Sequence, residues 1–398
     1  MKILILEDGP GLKRYQAKGE SYQEKYEDII RLGFWWSDSY VRAFEDLGHE
    51  AEVLFPRVKT LYQKYETVDR SRDQERQVLI EQIKRSCPDV ILVHVDHYLV
   101  DRSWLASIRE ALPAKSKLTA YYGTFSNRIT ETIGLVDAVF VPCQWMVKFY
   151  GDLGVYAAQI RHAYDPTRNS TKIFHKSYGL TMIGNLSYKQ EFWRYRYEVV
   201  ERLMEELDLQ LWGNITRSKK ASYAASCCYA VNRFLGALGV STEQRGKMPL
   251  IGWGAKWDES PNSTRELLQK FPAQCHSAIM GEEYRRVLCS SQVTLNVHAD
   301  IARGESVNFR LFEASGAGVC LLTDHTEDLS SLFEVDEEIA SFRSVEEAVE
   351  KGEYLLANPK VCDSIAAKAK KRVERSHTYH QRAEELLVHF EGLLGQLG

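Results

Sequence analysis

The sequence predicts an α/β protein made of two doubly wound domains, each built around a parallel sheet. Short apolar runs of strand length alternate with helical patterns along most of the 398 residues, which is typical of parallel sheets with helical crossovers. A polar segment at residues 161–176 interrupts this alternation once, and the alternation then starts again. The length also suits two domains, because a single domain usually has roughly 100–200 residues.

The first domain is predicted to span residues 1–165. Its strands are continuous apolar runs, which is typical of strands covered by helices on both faces of a parallel sheet. Right-handed crossovers between such strands give a Rossmann-like topology. The predicted strands are Lys2–Glu7, Glu50–Phe55, Asp89–Val95, Lys117–Tyr122 and Ala138–Pro142, and the predicted helices include Trp36–Leu47 and Val68–Ser86.

The second domain is predicted to span residues 166–377 with the same alternation. Its predicted strands are Leu180–Ile183, Gln210–Trp212, Gln292–Val297, Val319–Thr323 and Ile339–Phe342, and its predicted helices are Gln190–Leu207, Glu282–Ser290, Phe309–Gly316, Val345–Ala357 and Val361–Ser376. Residues 214–280 fit the pattern poorly, and we interpret them as an insertion with a helix near Ala221–Leu238. This insertion is either a surface decoration or a surface for a partner or acceptor.

The last residues, 378–398, are predicted to form a helix that returns to the first domain. Thr378 and Gln381 have the spacing of a capping box, in which two side chains satisfy the first backbone N–H groups of a helix. Apolar residues then recur at helical spacing from Ala383 onward, so one face of the helix is expected to be buried.

Composition and charge narrow the classes of function. The chain has 51 Lys and Arg against 55 Asp and Glu. Because basic residues are not in excess, the composition does not predict a nucleic-acid partner. A transmembrane segment is not predicted, because the sequence has no run of about 20 apolar residues. The apolar run in MKILILEDGP is too short for a signal peptide. We therefore expect a cytoplasmic protein whose eight cysteines, none in a Cys-x-x-Cys pair, are mostly buried thiols.

The segment Leu295–Asp324 combines the groups that a nucleotide-diphosphate sugar requires. It is predicted to run from a strand, through a loop with Gly304 and Glu305, into a helix with Arg310 and Glu313. A diphosphate needs N–H donors and cations, and a ribose diol needs a carboxylate as acceptor. The small residues that follow Glu313 allow the backbone to approach a ligand closely.

Three of these side chains are expected to converge on one pocket. Glu305 lies on the loop and Glu313 about one turn into the helix, and the Arg310 guanidinium between them can pair with phosphate oxygens. Asn308 lies near the predicted helix start, where it is expected to cap the helix, and it is also a candidate for donor contacts. The alternative is that Arg310 and Glu313 form a pair on an exposed helix surface, worth roughly 0.2–0.5 kcal/mol.

This part of the sequence resembles the GT-B glycosyltransferases grouped around the spore-maturation protein CgeB. The similarity covers about residues 281–382 and is specific in order and spacing. It includes LNVH at Leu295–His298, the N-x-R-x-F-E-A-x-G-x-G run of Asn308–Gly318, LLTD at Leu321–Asp324, and HTY at His377–Tyr379 followed by Arg382. A looser similarity includes LGFWWSDSYVRAFEDLGHE near the N-terminus and HAYDP at His162–Pro166.

The resemblance implies a GT-B fold, in which two Rossmann-like domains face a cleft and the C-terminal domain holds a nucleotide-diphosphate sugar. Glu305 and Glu313 are similar to the E-x7-E element of retaining enzymes, with Glu313 at the ribose and Glu305 at the donor sugar. The acceptor is a glycan, a protein or a small molecule. Neither a metal nor a cofactor is expected, because Asp-x-Asp, the pair that places a divalent cation in GT-A enzymes, does not occur.

Further candidates for donor contacts follow the predicted strands of the second domain. Relatives often have a Gly-Arg…Lys phosphate clamp after the first of these strands, whereas Asn185 follows Gly184 here. The candidates in this region are Gly184, Asn185, Lys189, Arg194 and Arg196, together with His298 after a later strand. For His298, a structural hydrogen-bonding role is the alternative.

In the first domain, two groups are candidates for the cleft. Gly33, Trp35 and Trp36 precede a helix, and the indoles can stack on a sugar or pack into the core. His94 and Asp96 end a buried strand, where the active sites of open α/β sheets gather, so a general base is predicted there. Hydrogen-bonded structural groups are the alternative interpretation.

A glycosyltransferase is the favoured prediction, with two alternatives. A GT-B-shaped nucleotide-sugar epimerase or hydrolase would form product without an acceptor. A non-catalytic structural module would turn over no donor and would tolerate Glu305→Ala. A dinucleotide oxidoreductase is disfavoured, because no G-x-G-x-x-G follows a predicted strand.

Overall fold

A computed structural model of the protein describes residues 1–7, 18–31, 35–56, 72–94, 102–123, 132–168, 174–186, 194–213, 219–249, 251–252, 265–299 and 302–395. Within these ranges the strands form two six-stranded sheets. Every strand pairing is parallel. The two doubly wound sheets predicted from the sequence are therefore confirmed.

The first sheet is built by the N-terminal part of the chain. Its strands are β1 (Lys2–Glu7), β2 (Glu50–Leu54), β3 (Val90–His94), β4 (Lys117–Tyr121), β5 (Ala138–Val141) and β6 (Tyr156–Gln159). The helices along this part are α1 (Tyr22–Arg31), α2 (Trp35–Asp46), α3 (Arg72–Ser86), α4 (Arg102–Ala111) and α5 (Gln144–Asp152). The strand order is β2-β1-β3-β4-β5-β6, so the winding direction reverses between β1 and β3.

The second sheet follows the polar segment. Its strands are β7 (Tyr178–Ile183), β8 (Gln210–Gly213), β9 (Cys275–Ser277), β10 (Ser291–Asn296), β11 (Cys320–Asp324) and β12 (Ala340–Phe342). Its helices are α6 (Arg194–Leu207), α7 (Lys219–Ala237), α8 (Thr242–Gly246), α9 (Arg265–Lys270), α10 (Gly281–Cys289), α11 (Arg310–Gly316), α12 (Leu329–Leu332), α13 (Val345–Ala357) and α14 (Pro359–Ser376). The order β12-β11-β10-β7-β8-β9 reverses between β7 and β10.

The predicted insertion at residues 214–280 needs correction, because its end belongs to the sheet. Cys275–Ser277 pairs with β8 as the edge strand β9, and α7 to α9 lie on the crossover between β8 and β9. The strand was missed because three residues are too few to show a periodic pattern. The predicted helix near Ala221–Leu238 corresponds to α7.

The C-terminal helix α15 (Tyr379–Leu394) packs on the first sheet. Thr378 and Gln381 form the predicted capping box at its start. The fully buried ring of Phe390 lies 6.2 Å from the ring of Phe44 and 5.8 Å from that of Phe140. Burying such a side chain stabilises the folded state by about 1.5–3 kcal/mol, so the end of the chain is part of the N-terminal core.

Candidate functional site

The candidate donor crevice lies at the carboxyl ends of β7 and β10. These neighbouring strands mark the point where the winding direction of the second sheet reverses, which is where open α/β sheets bind ligands. Gly184 follows β7, and His298 comes two residues after the end of β10. The start of α11, with Arg310, is also at this edge, because an added Cβ on Gly184 would lie 3.9 Å from an Arg310 guanidinium nitrogen.

Two glycines let the loop after β7 run close to the neighbouring strand. The N–H of Gly184 donates to the carbonyl of Trp212 at 2.8 Å. A Cβ on Gly213 would lie only 2.5 Å from the Gly184 carbonyl oxygen, so any side chain at residue 213 would force the backbone of the loop away from β8. The buried Arg196 supports the same loop, since its Nη1 donates to the Asn185 carbonyl at 3.2 Å. Among the cation candidates, Arg196 therefore supports the loop from beneath.

Arg310, Glu313 and Tyr284 form one polar group in this crevice. The hydroxyl of Tyr284, on α10, donates to the Glu313 carboxylate, and the Arg310 guanidinium lies 5.6 Å from the centre of the Tyr284 ring. Nη1 of Arg310 is buried and has no hydrogen-bond partner in the described structure. The alternative of an exposed surface pair is therefore excluded, because Glu313 is only 6% exposed.

Burial dominates the acidity of Glu313. It raises the pKa of this carboxyl to about 7, although the Arg310 charge and the Tyr284 hydroxyl both favour the ionised form. A ligand that donates hydrogen bonds to this carboxyl would favour its ionised form.

His298 and Asp324 form a buried pair beside the same strand ends. The carboxylate of Asp324 accepts from the His298 backbone N–H at 3.0 Å and lies 2.8 Å from Nδ1 of the ring. Nε2 of His298 is buried without a partner in the described part of the chain. A carboxylate at Nδ1 fixes the ring orientation and leaves Nε2 as the atom for a ligand.

The predicted capping role of Asn308 is wrong. Helix α11 has Phe309 at its N-cap position, with no side-chain cap hydrogen bond. The Asn308 amide instead donates to the side-chain oxygen of Asn296 at 2.9 Å and to the carbonyl of Val297 at 3.2 Å. It thus ties the loop before α11 to the end of β10, and the local pattern could not indicate this contact between distant residues.

Glu305 contacts the first domain. Its carboxylate accepts the backbone N–H groups of Gln144 and Trp145, in the first turn of α5, at 2.6 and 2.9 Å. The neighbouring Arg303 guanidinium lies 4.3 Å from the centre of the Trp145 ring. Gly304 between them has φ +81°, a conformation that favours glycine. The prediction that all three side chains converge on one pocket is therefore wrong for Glu305: Arg310 and Glu313 belong to one side-chain group, whereas the Glu305 carboxylate joins the two domains.

A second cross-domain contact fixes the same loop. Nη1 of Arg161 donates to Asp328 at 2.7 Å, and the other oxygen of Asp328 accepts the N–H of Ser306 at 2.8 Å. The Arg161 charge helps to hold the pKa of Asp328 below its usual value, against the effect of burial. Further along the linker, the Tyr164 ring fills the space where a side chain on Gly316 of α11 would lie, since a Cβ there would come within 2.3 Å of the ring.

The first domain contributes a polar group at its own reversal point, between β1 and β3. The carboxylate of Glu7, at the end of β1, lies 2.9 Å from Nδ1 of His94 at the end of β3. Ser37 donates to Glu7 at 2.6 Å, and the His94 ring stacks on Trp36 with centres 4.0 Å apart. The His94 ring is a quarter exposed, with a relative accessibility of 26%. The Trp36 indole thus packs against the histidine.

The linker brings another histidine to the same cleft. Nδ1 of His162 lies 3.2 Å from the Tyr121 hydroxyl, and its ring centre lies 6.1 Å from that of Phe309 in the second domain. Burial lowers the pKa of His162 to about 3, so this ring is neutral at physiological pH. The two domains therefore meet at aromatic and neutral groups here.

Some predicted residues lie outside this assembly. Gly33, Asp96 and Lys189 are outside the described residues, as is the side chain of Trp35. Arg194 does not support the crevice, because its side chain is 77% exposed and pairs with Glu198 on the outer surface of α6. The arginine that supports the loop after β7 is Arg196.

Comparisons with known proteins found a family model and solved structures that are similar to this chain. Residues 196–388 match the model of a family described as "Glycosyl transferase-like". The match covers slightly less than half of the chain. No curated protein matches the chain significantly in sequence. In fold, the chain is similar to HepE of Anabaena solved in complex with UDP-glucose, at 10% identity and a TM-score of 0.57, covering 98% of this chain and 100% of that chain.

Two other solved structures have the same architecture. Sucrose-phosphate synthase from Thermosynechococcus elongatus shares 10% identity at a TM-score of 0.56, covering 99% of both chains. A glycosyltransferase from Rickettsia africae shares 11% identity at a TM-score of 0.56, covering 99% of this chain and 98% of that one. At these identities the likeness shows the fold, which is GT-B.

Sequence reasoning missed two residues of these polar groups. Tyr284 was read only as part of a helix, and Glu7 only as the end of a strand. A signal for Glu7 was available, because an acidic residue that ends the first strand of a parallel sheet lies at the ligand edge. Among the described helices, none is long and apolar enough to cross a bilayer. Within the same ranges no group of three or more His, Cys, Asp and Glu residues can hold a metal ion.

Proposed function

We propose that this protein is a glycosyltransferase that moves a sugar from a nucleotide-diphosphate sugar to an acceptor. The single observation that carries the proposal is the Arg310–Glu313–Tyr284 group beside Gly184, at the reversal point of the second sheet. Its chemistry fits a nucleotide: one half-buried cation whose buried Nη1 has no partner among the described residues, and one buried carboxylate.

Arg310 is the proposed partner of the diphosphate. Its buried Nη1 has no partner within the described residues, and a buried donor without a partner costs about 1–3 kcal/mol. A phosphate oxygen would remove that cost and gain a charge-assisted hydrogen bond. During transfer, negative charge accumulates on the departing nucleoside diphosphate, so a fixed guanidinium stabilises the transition state.

Glu313 is the proposed partner of the ribose diol, and Tyr284 keeps its carboxylate in place. Ionisation of Glu313 in the complex allows it to accept two hydroxyl hydrogen bonds. Nε2 of His298, held by Asp324, is the proposed contact for another hydroxyl or N–H group of the donor. Glu305 would bring α5 of the first domain to the same cleft.

On the acceptor side, we propose that His94 receives or positions the acceptor proton. Glu7 holds Nδ1 at 2.9 Å and thereby orients the ring, which is the arrangement of a general base with its orienting carboxylate. Trp36 supplies a flat apolar surface behind the ring. Asp96, outside the described residues, stays a candidate for the same edge.

A uridine donor is the first candidate, because HepE, with the same fold, was solved in complex with UDP-glucose. The test is a thermal-shift panel of UDP, GDP, ADP, CMP and TDP compounds, followed by calorimetry with the best nucleotide. A ligand at 100 times its dissociation constant stabilises the folded state by about 2.7 kcal/mol. If no nucleotide raises the melting temperature and no nucleoside diphosphate is released from any donor, the proposal fails.

Finer features of the proposal have separate tests. We propose membership of the CgeB-like group, a cytoplasmic location, metal-independent transfer that EDTA leaves unchanged, and retention of the anomeric configuration. Retention is proposed from the resemblance of Glu305 and Glu313 to the E-x7-E element alone, and it is read by proton NMR of the first product formed. An inverted product would contradict retention and would be consistent with direct attack by an acceptor that the Glu7–His94 pair deprotonates.

A further inference from the structure

Helix α7 has an inner face whose polar groups are hydrogen-bonded to its surroundings. Asn232 is 2% exposed, and its amide donates to the carbonyls of Cys228 and Ile251 at 3.0 and 2.8 Å. Arg245 of α8 donates to the Asn232 carbonyl at 2.8 Å and to that of Val240 at 3.1 Å. These bonds join α7 and α8 into one hairpin with a fixed orientation.

The opposite face of α7 is apolar and exposed. Val231, Phe234 and Leu238 are 42%, 65% and 64% exposed. Their spacing of three and four residues places them on one stripe along the helix, and Leu238 continues the last turn through its N–H bond to the Phe234 carbonyl. Large apolar side chains grouped in this way mark a surface for a partner or a membrane rather than a solvated helix face.

The sequence of the hairpin has a different charge balance from the whole chain. Residues 219–247 contain five Lys or Arg and one Asp or Glu, although the protein has a formal net charge of −4. Of these basic residues, Arg233 and Lys247 are exposed in the structure. The hairpin therefore combines an exposed apolar stripe with an excess of basic residues in an otherwise acidic protein.

We propose that the outer face of the α7–α8 hairpin docks on an anionic phospholipid membrane. A helix of this kind lies in the interface, with its apolar stripe below the headgroups and its basic residues at their level. Each basic residue near an anionic surface contributes attraction that salt screens. A second copy of the chain fits less well, because it would bring two positive hairpins together. A nucleic acid fits less well, because aliphatic side chains do not read it.

The proposal is tested by vesicle flotation with the full-length protein. Vesicles of phosphatidylcholine with about 30% phosphatidylglycerol should carry the protein upward, vesicles of phosphatidylcholine alone should carry much less, and about 0.5 M NaCl should reduce binding. The double variant Phe234→Ser/Leu238→Ser should bind roughly tenfold or more weakly, since it removes most of the apolar area. Its exposed positions leave the fold intact, which nucleotide stabilisation verifies.

Matched controls separate the stripe from general stickiness. Val388→Ser removes a side chain that is 57% exposed on α15, and it should bind vesicles as the unmodified protein does. Arg233→Glu should weaken binding several-fold, whereas Lys148→Glu, at a side chain 78% exposed on α5, should not. The proposal is overturned if the protein stays at the bottom with anionic vesicles, if the double variant floats equally well, or if an acidic protein or RNA binds the stripe while vesicles do not.

Discussion

The two domains have related folds, but the polar side chains at the carboxyl ends of their strands differ in hydrogen bonding. In the second domain, Arg310 and His298 each hold a buried nitrogen with no partner in the described structure. In the first domain, the carboxylate at the reversal point is already bonded to both Ser37 and His94. From this comparison we infer a division of roles: the C-terminal edge is proposed to receive polar groups from a ligand, and the N-terminal edge to hold one histidine in a fixed orientation.

If this division is correct, changes at the two edges should have separable effects. The largest is expected for His94→Gln, which should lower kcat by roughly 10²–10⁴ without changing donor affinity, because His94 acts on the acceptor. Turnover of the donor identified in the nucleotide panel and calorimetry with the same donor measure the two quantities. His380→Gln, at a half-exposed histidine on α15, is the control. A loss of donor affinity in His94→Gln would contradict the division.

Arg310→Ala should lower kcat/KM by roughly 10²–10³, because the variant loses a fixed cation at the departing diphosphate. The melting temperature of the free protein should change little, since Nη1 makes no hydrogen bond within the described residues. Arg194→Ala removes an exposed guanidinium and should leave kcat/KM unchanged. A large fall in melting temperature for Arg310→Ala would mark the residue as structural.

Glu313→Ala should weaken nucleotide binding by roughly 10- to 100-fold, which corresponds to about 1.5–3 kcal/mol for hydrogen bonds to a charged group. Calorimetry measures the effect, with Glu198→Ala on the surface of α6 as the matched control. Unchanged affinity in Glu313→Ala would remove this carboxylate from the ribose site.

The pKa of Glu313 predicts a several-fold pH dependence of donor affinity. Burial raises this pKa to about 7, and the ribose needs the ionised form, so affinity for a nucleotide-sugar should fall as pH drops below 7. For the free protein the sign is opposite. The raised pKa stabilises the fold below the unfolded-state pKa of about 4.5, and this contribution is lost as pH rises through 7. Glu313→Gln should flatten both profiles, and steep profiles in that variant would point to another group.

Glu305→Ala should have the smallest effect, a fall in stability of about 0.5–2 kcal/mol. The variant loses two hydrogen bonds to the first turn of α5, and with them one of the contacts between the domains. Thermal unfolding measures the change, and Glu353→Ala at an exposed site on α13 is the control. A variant as stable as the control would show that the contact contributes nothing measurable.

The fold could be predicted because the information is local. Continuous apolar runs identified β1, β3, β10 and β11, and the capping box at Thr378 identified the start of α15. The site was predicted only in part, because its contacts join distant residues. Tyr284 lies 29 residues from Glu313, Glu7 lies 87 from His94, and Gln144 lies 161 from Glu305. A periodic pattern has no information about such pairs, and the same limit explains the incorrect role for Asn308.

The contact between Tyr164 and Gly316 joins the linker directly to α11, the helix that carries Arg310 and Glu313. The Tyr164 ring occupies the place where a side chain on residue 316 would lie, so it packs directly on the backbone of α11. The backbone N–H of Tyr164 also donates to the carbonyl of His377. We therefore expect α11 to move together with the linker backbone. Any swing of one domain against the other is therefore transmitted to the turn that carries Arg310 and Glu313. If the proposed nucleotide site is correct, its occupancy and the angle between the domains should therefore change together, because residue 316 has no side chain.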